Sequence, residues 1–224
     1  MKYSIHYKDT FSLLEVQLNQ GEALKAESGA MVSMDSTVDV EGKLEGGLLK
    51  GLGRMFAGES FFFQTLAANR GPGNVTLAPT AVGSIVAIPL NGDAYNVQKN
   101  GFLAASMDVN VDTKMQSLTK GLLSGEGLVI LNIHGTGVLF VSSHGAIHEI
   151  DIPAGKEVII DNGHLVAWPS TVSYKIEKAS KGWISSVTSG EAVVCRFTGP
   201  GKVYIQTRNP NAFIEWISKL LPSK

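Results

Sequence analysis

The sequence predicts an all-β protein made of three tandem copies of one strand-rich unit, followed by a short C-terminal α-helix. Three observations predict this: a Gly-x-Gly motif that returns at a fixed spacing, apolar residues that alternate with polar ones, and no convincing helical periodicity before residue 208. Copies that cannot cover their own apolar faces are expected to pack side by side. We therefore expect the three units to surround a pseudo-threefold axis.

The repeated motif lies between two apolar runs. Its copies begin at Gly71, Gly135 and Gly199, so successive copies are 64 residues apart. A fixed spacing indicates an internal triplication, which divides the chain into units 1–82, 83–145 and 146–208 and a tail 209–224. The motif lacks the third glycine and the following helix of a dinucleotide-binding loop. We interpret each copy as a hairpin turn between two strands.

Alternation with a period of two predicts the individual strands. Residues 14–18 alternate in the first unit, and residues 147–152 begin the third. Residues 84–90 begin the second unit, and the Asn-Gly-Asp sequence at 91–93 predicts a turn after them. The strands are short and separated by glycines, which is typical of a sandwich or barrel-like packing.

The tail has a different pattern. Asn209 and Pro210 are typical of a helix N-cap and first turn. Phe213, Ile217 and Leu220 then recur at spacings of three and four. This predicts a short amphipathic helix that docks on the body of the protein or on a neighbouring subunit.

Composition and charge exclude several classes. With 19 basic and 20 acidic side chains, the chain lacks the basic surface that nucleic-acid binding requires. The single cysteine, Cys195, lies in an apolar run and is interpreted as a small buried side chain in a reducing compartment. No signal-peptide pattern and no stretch of about 18 apolar residues is seen. We expect a cytoplasmic protein.

The sequence offers no catalytic motif. It contains no nucleophile elbow, Cys/His dyad or phosphate-binding loop, so we expect no enzyme, no catalytic residues and no cofactor. Four histidines, His134, His144, His148 and His164, fall within 31 residues. A metal site is one interpretation of this group. Because no carboxylate completes a ligand spacing, we prefer surface or packing roles and assign no metal ligands.

One loop distinguishes the first unit from the other two. It is rich in glycine and combines apolar with basic residues, namely Leu48, Leu49, Lys50, Leu52, Arg54, Met55 and Phe56. These side chains fill the centre of the ring in one interpretation, which the number of apolar residues favours. In the other, they contact a protein partner or a membrane surface.

The triplicated motif, the Gly-Leu-Leu-Lys-Gly-Leu sequence at 47–52 and the Arg-Gly-Pro-Gly sequence at 70–73 also carry a resemblance. Over about residues 1–210 the chain resembles the altered-inheritance-of-mitochondria (mitochondrial biogenesis) family. The resemblance implies a fold like that of the tryptophan RNA-binding attenuation protein, a double-stranded β-helix variant repeated three times, which assembles into a trimeric ring. It implies no catalytic residues. The mitochondrial members suggest a role in inner-membrane organisation, but no mitochondrial presequence is seen here.

The expected function is that of a non-enzymatic oligomeric scaffold or interaction protein that acts in the cytoplasm or at a membrane surface. We expect a homotrimer, with contacts through Phe213, Ile217 and Leu220. A small-ligand or metal-binding β-helix protein is the alternative, and an RNA-binding ring is a weaker one.

Overall fold

The structure is a computed structural model that describes residues 1–9, 11–43, 63–115, 129–178 and 193–221. These residues are predominantly in strands, with one α-helix, α1 (Pro210–Ser218), and two short 3-10 helices, Lys99–Gly101 and Asn162–His164. The strands, in chain order, are β1 (Lys2–His6), β2 (Leu13–Leu18), β3 (Ala23–Glu27), β4 (Met31–Met34), β5 (Asp39–Lys43), β6 (Phe63–Ala67), β7 (Gly73–Leu77), β8 (Ile85–Gln98), β9 (Phe102–Ser106), β10 (Val109–Met115), β11 (Val129–Ser142), β12 (Ile147–Ile152), β13 (Glu157–Asp161), β14 (Leu165–Pro169), β15 (Ser173–Lys178), β16 (Val193–Thr198) and β17 (Gly201–Gln206).

The strands form three sheets with antiparallel pairing. The largest has the order β12-β17-β14-β8-β11-β9-β3-β6-β5, and β10 also pairs with β11. A four-stranded sheet has the order β1-β2-β7-β4, and a three-stranded sheet has the order β13-β16-β15. The large sheet holds strands from β3 to β17, and its two longest strands, β8 and β11, each 14 residues long, pair along most of their length.

Alternating burial along the strands builds three apolar core clusters. In β2, Leu14, Val16 and Leu18 are buried and the residues between them are not, as their period of two predicts. The first cluster consists mainly of residues before 104, the second of residues from 88 to 167, and the third mainly of residues after 152. Trp168, Tyr174 and Phe197 pack edge-to-face or stacked in the third cluster, with ring centroids 5.1–5.6 Å apart.

The interpretation of the Gly-x-Gly motifs as hairpin turns is wrong. β6 pairs with β3 and β5, whereas β7 pairs with β2 and β4, so the first motif leads the chain from one sheet into another. The third motif likewise joins β16 to β17, which lie in different sheets. The second lies inside β11, where the register with β8 shifts between His134 and Thr136. Glycine is required because Gly71, Gly135, Gly137 and Gly201 have φ between +132° and +157°.

The turn expected at residues 91–93 is also absent. β8 continues through these residues and pairs with β11 on both sides of them. Gly92 has a φ of +89°, and it lies opposite the register shift in β11. The Asn-Gly-Asp sequence therefore produces a β-bulge within a strand, which needs the same left-handed glycine that a tight turn needs.

The expected class and the tail are confirmed. The described residues are predominantly strand, and the tail forms α1, which begins at Pro210 after the Asn209 cap. The Asn209 Oδ1 accepts hydrogen bonds from the backbone N–H groups of Asn211 and Ala212, at 2.9 and 3.4 Å. The unit boundaries, the arrangement of three units around an axis, the double-stranded β-helix and the likeness to the tryptophan RNA-binding attenuation protein stay predictions.

Candidate functional site

A cavity of about 510 Å³ lies between one end of the large sheet and α1. We call it the helix-side cavity. Its lining combines an apolar wall with a small polar group, and consists of Glu27, Pro79, Thr80, Ala81, Val82, Asn100, Ser142, His144, Pro210, Phe213 and Ile214. A concave, mostly apolar space of roughly 300–1,000 Å³ with a few convergent polar groups is typical of a small-molecule site.

Strand register brings the polar residues together. β9 lies between β3 and β11 and runs antiparallel to both. The end of β3 at Glu27, the start of β9 just after Asn100 and the end of β11 at Ser142 therefore meet at one edge of the sheet. Glu27 and Ser142 are 115 positions apart in the sequence, so this edge is a consequence of sheet topology.

Two loops close the wall beside this edge. Gly83 and Gly145 form a parallel β-bridge between the segments that follow β7 and β11. The Gly145 N–H donates to the Val82 carbonyl oxygen at 2.8 Å, and the Ser84 N–H donates to the Gly145 carbonyl oxygen at 3.0 Å. A Cβ at Gly83 would lie 2.6 Å from the Gly145 carbonyl oxygen. Glycine is therefore required for this approach of the two backbones.

α1 forms the remaining wall and is held at its N-terminus. The side-chain amide of Asn209 occupies the space that a Cβ at Gly163 would need, so the residue that caps the helix also packs against the 3-10 helix before β14. One turn later, the Phe213 ring lies 5.5 Å from the His144 ring, measured between centroids. These contacts place Phe213 and Ile214 over the cavity.

Glu27 is the one carboxylate among the described residues that line the helix-side cavity. Burial raises the pKa of the Glu27 carboxyl group, and the positive charge of Lys99 opposes part of that rise. Because the effect of burial is larger, the charge of Lys99 does not fully replace the hydration that the ionised Glu27 carboxylate loses on burial. A positive charge entering the cavity would supply the missing compensation.

His144 contributes a second uncompensated group. Its backbone is well fixed, because its N–H donates to the Gln206 Oε1 at 2.9 Å and its carbonyl oxygen accepts from the Arg208 N–H at 3.2 Å. Its ring Nδ1 is buried and has no hydrogen-bond partner among the described residues. Buried polar atoms are almost always paired, so this nitrogen of a lining residue needs a partner that the described residues do not supply.

The outer surface of α1 is exposed and apolar. Phe213 is 46% exposed and Trp216 58%, and Leu220, two residues beyond the end of the helix, is 66% exposed. Ile217 is partly buried, and no residue of the helix is fully buried. The Phe213 and Trp216 rings stack with centroids 6.0 Å apart. The body therefore covers only part of the apolar face of this helix.

The histidines do not assemble. His134 Nε2 lies 3.1 Å from Asp112 Oδ2, and His164 Nδ1 lies 2.7 Å from the Gln206 carbonyl oxygen. His148 is exposed. In the part of the chain that the structure describes, no group of three or more His, Cys, Asp or Glu side chains is placed to hold a metal ion.

The predicted contact residues divide into two groups. Phe213 and Ile217 lie on α1, Leu220 lies two residues beyond its end, and Phe213 also lines the helix-side cavity. Their role as oligomer contacts stays a prediction. The loop residues Leu48, Leu49, Lys50, Leu52, Arg54, Met55 and Phe56 lie outside the described residues.

Sequence reasoning missed the cavity. Glu27 and Asn100 belong to no motif, and only a correct strand order brings them beside Ser142. His144 was noticed only as part of a histidine group. The sequence did predict the wall that α1 forms, because an amphipathic helix that follows a body of strands is expected to pack its apolar side against that body.

Among the described residues, no helix is both long enough and apolar enough to cross a membrane. α1, at nine residues, is far below the length that a span requires.

Comparison with known proteins identifies the family. An uncharacterized protein of Streptococcus pyogenes serotype M6 is 34% identical over 231 residues, which cover 100% of this chain and 92% of that protein. A crystal structure of another Streptococcus pyogenes protein superposes with a TM-score of 0.84 at 32% identity, covering 98% of this chain and 99% of that one. The family model described as mitochondrial biogenesis AIM24 matches residues 3–208. The chain therefore belongs to the AIM24 family, as the resemblance in its glycine motifs indicated.

Proposed function

We propose that this protein is a non-enzymatic scaffold that assembles into a homo-oligomer through the exposed face of α1. The observation that carries the proposal is the set of large exposed apolar side chains at and just after the C-terminal end of α1, Trp216, Leu220 and Leu221, which are 58–66% exposed. Apolar groups of this size on one short tail segment gain free energy when a partner covers them.

A second copy of the chain is the partner that fits this surface. Between residues 209 and 221 the tail carries one acidic and one basic side chain, Glu215 and Lys219, which pair at 2.8 Å. The tail is therefore electrically neutral over this range. Copies of it can pack around a symmetry axis without like-charge repulsion, and closed symmetry is the rule for soluble oligomers. We expect the trimer that the sequence suggests.

The experiment measures molar mass by light scattering at micromolar protein concentration. A trimer of the 23.8 kDa chain has a mass of about 71 kDa. The double variant Trp216→Ser/Leu220→Ser is expected to give the mass of one chain and to keep a cooperative unfolding transition. Val32→Ser is the matched control, because Val32 is also 58% exposed but lies on β4, and it is expected to leave the trimer intact.

A wild-type protein that runs as a monomer would rule out the assembly. A double variant that still forms trimers would show that α1 is not the contact. Flotation of the wild-type protein with liposomes, together with loss of flotation in the double variant, would replace self-association by membrane binding as the role of this helix.

A further inference from the structure

The helix-side cavity has the features of a ligand site, and these features do not depend on assembly through α1. Glu27, Asn100, Ser142 and His144 lie at or beside the sheet edge, and the other lining residues, all apolar except Thr80, lie in α1 and in residues 79–82. The ligand that fits such a lining has a polar head and an apolar body. The remaining question is the charge of the head.

The charges on the lining select a cation. Among the residues that the structure describes, Glu27 is the one acidic side chain in this lining, and no lysine or arginine belongs to it. Lys99, which precedes the lining residue Asn100 on the 3-10 helix, offsets only part of the effect of burial on the pKa of Glu27. An anion would meet the Glu27 carboxylate without a compensating positive group, and burying such a pair is costly.

The hydrogen-bonding atoms select an ammonium group over a metal ion. The buried His144 Nδ1 lacks a donor among the described residues, and with its hydrogen on Nε2 the neutral ring accepts at Nδ1. The Asn100 side-chain oxygen and the Ser142 hydroxyl also accept hydrogen bonds. A primary ammonium has three N–H donors for such acceptors. A metal ion fits less well, because the described residues of the lining include one carboxylate and one imidazole, and no group of three or more His, Cys, Asp or Glu side chains among the described residues is placed to hold one.

We propose that the helix-side cavity binds a small amphipathic primary amine, with its ammonium group at Glu27 and His144 and its hydrocarbon body against Val82, Phe213 and Ile214. The apolar wall supplies affinity through buried hydrocarbon surface, and the Glu27 carboxylate supplies selectivity for the positive head. The Phe213 ring, 5.5 Å from the His144 ring, lies at the boundary between the two parts of the lining.

Calorimetric titration with three probes of equal chain length tests the proposal: hexylamine, hexanol and hexanoate at neutral pH. The wild-type protein is expected to bind hexylamine saturably, hexanol at least tenfold more weakly, and hexanoate not detectably. Glu27→Gln should weaken hexylamine binding at least tenfold and leave hexanol binding unchanged. Glu149→Gln is the control, because this carboxylate pairs with Lys202 on the exposed surface of β12. It should bind hexylamine as the wild type does.

Equal binding of the three probes, hexylamine binding that survives Glu27→Gln, or no binding at all would each overturn the proposal. A second measurement uses the wild-type protein alone. An alkyl amine with a photoreactive diazirine at its tail should label residues 79–82 or 213–214, and labelling confined to other segments would also overturn it. The trimer variants change side chains that do not line the cavity, so failure of either proposal leaves the other testable.

Discussion

Replacement of Gly137 by alanine is a sharp test of how the Gly-x-Gly motifs work. Gly137 lies inside β11 with a φ of +140°. A Cβ there would lie 2.7 Å from the Ser106 Cβ and 2.8 Å from its Oγ. The Ser106 Oγ also accepts a hydrogen bond from the Val138 N–H at 3.0 Å. The new methyl group therefore meets a side chain that cannot move away without losing a bond.

Two costs combine in this variant. A residue other than glycine in this backbone region costs about 1–3 kcal/mol, and loss of one hydrogen bond costs about 0.5–1.5 kcal/mol. We expect Gly137→Ala to lower the free energy of unfolding by about 2–4 kcal/mol. Gly92→Ala is the control, because Gly92 has a φ of +89° but no neighbouring atom within 4 Å of the position of its Cβ. It should cost about 1–2 kcal/mol, from the left-handed backbone alone.

Urea unfolding at one fixed chain concentration measures both variants, because assembly would make stability depend on concentration. Adding Ser106→Gly to Gly137→Ala removes the atoms that clash. The double variant should then be more stable, by about 1 kcal/mol, than the sum of the two single effects implies. If Gly137→Ala costs no more than Gly92→Ala, the close approach to Ser106 is not what requires glycine at this position.

Two further predictions concern buried groups. Lys25→Met should lower the free energy of unfolding by about 1–3 kcal/mol, because the buried Lys25 ammonium donates to the Val109 carbonyl oxygen at 2.8 Å; wild-type stability in urea would show that this bond contributes nothing. Burial, and to a smaller extent the charge of Asp161, raises the pKa of the fully buried Cys195 thiol to about 12. The native protein should therefore not react with a disulfide reagent at pH 8, whereas the unfolded protein should react fully. Because this pKa is raised on folding, the contribution of Cys195 to stability should be complete below about pH 8.5. It should be lost as the pH rises toward about 12, so the stability advantage over Cys195→Ala should shrink across that range.

Local patterns predicted the elements that depend on neighbouring residues. The alternation at residues 14–18 became β2, and the Asn209-Pro210 pair marked the first turn of α1. Both follow from interactions within a few residues, which a sequence displays directly.

Patterns that depend on distant pairing were misread. A glycine with positive φ serves a hairpin turn, a β-bulge or a passage between sheets equally well. The sequence around Gly92 therefore could not reveal that β8 continues to Gln98 against β11. The helix-side cavity was hidden for the same reason. Glu27 and Ser142 come to the same edge of the sheet because their strands, β3 and β11, both pair with β9. That strand order is a property of the whole sheet.

The length of β11 has a consequence for how the protein unfolds. Phe140 belongs to the first core cluster, Leu131, Ile133, Leu139 and Val141 to the second, and Ile130 to the third. One strand thus contributes side chains to all three cores, so opening any one of them exposes apolar surface in a strand that the others need. Amide hydrogens across the three clusters should therefore exchange through a common opening with one free energy, as a single foldon would.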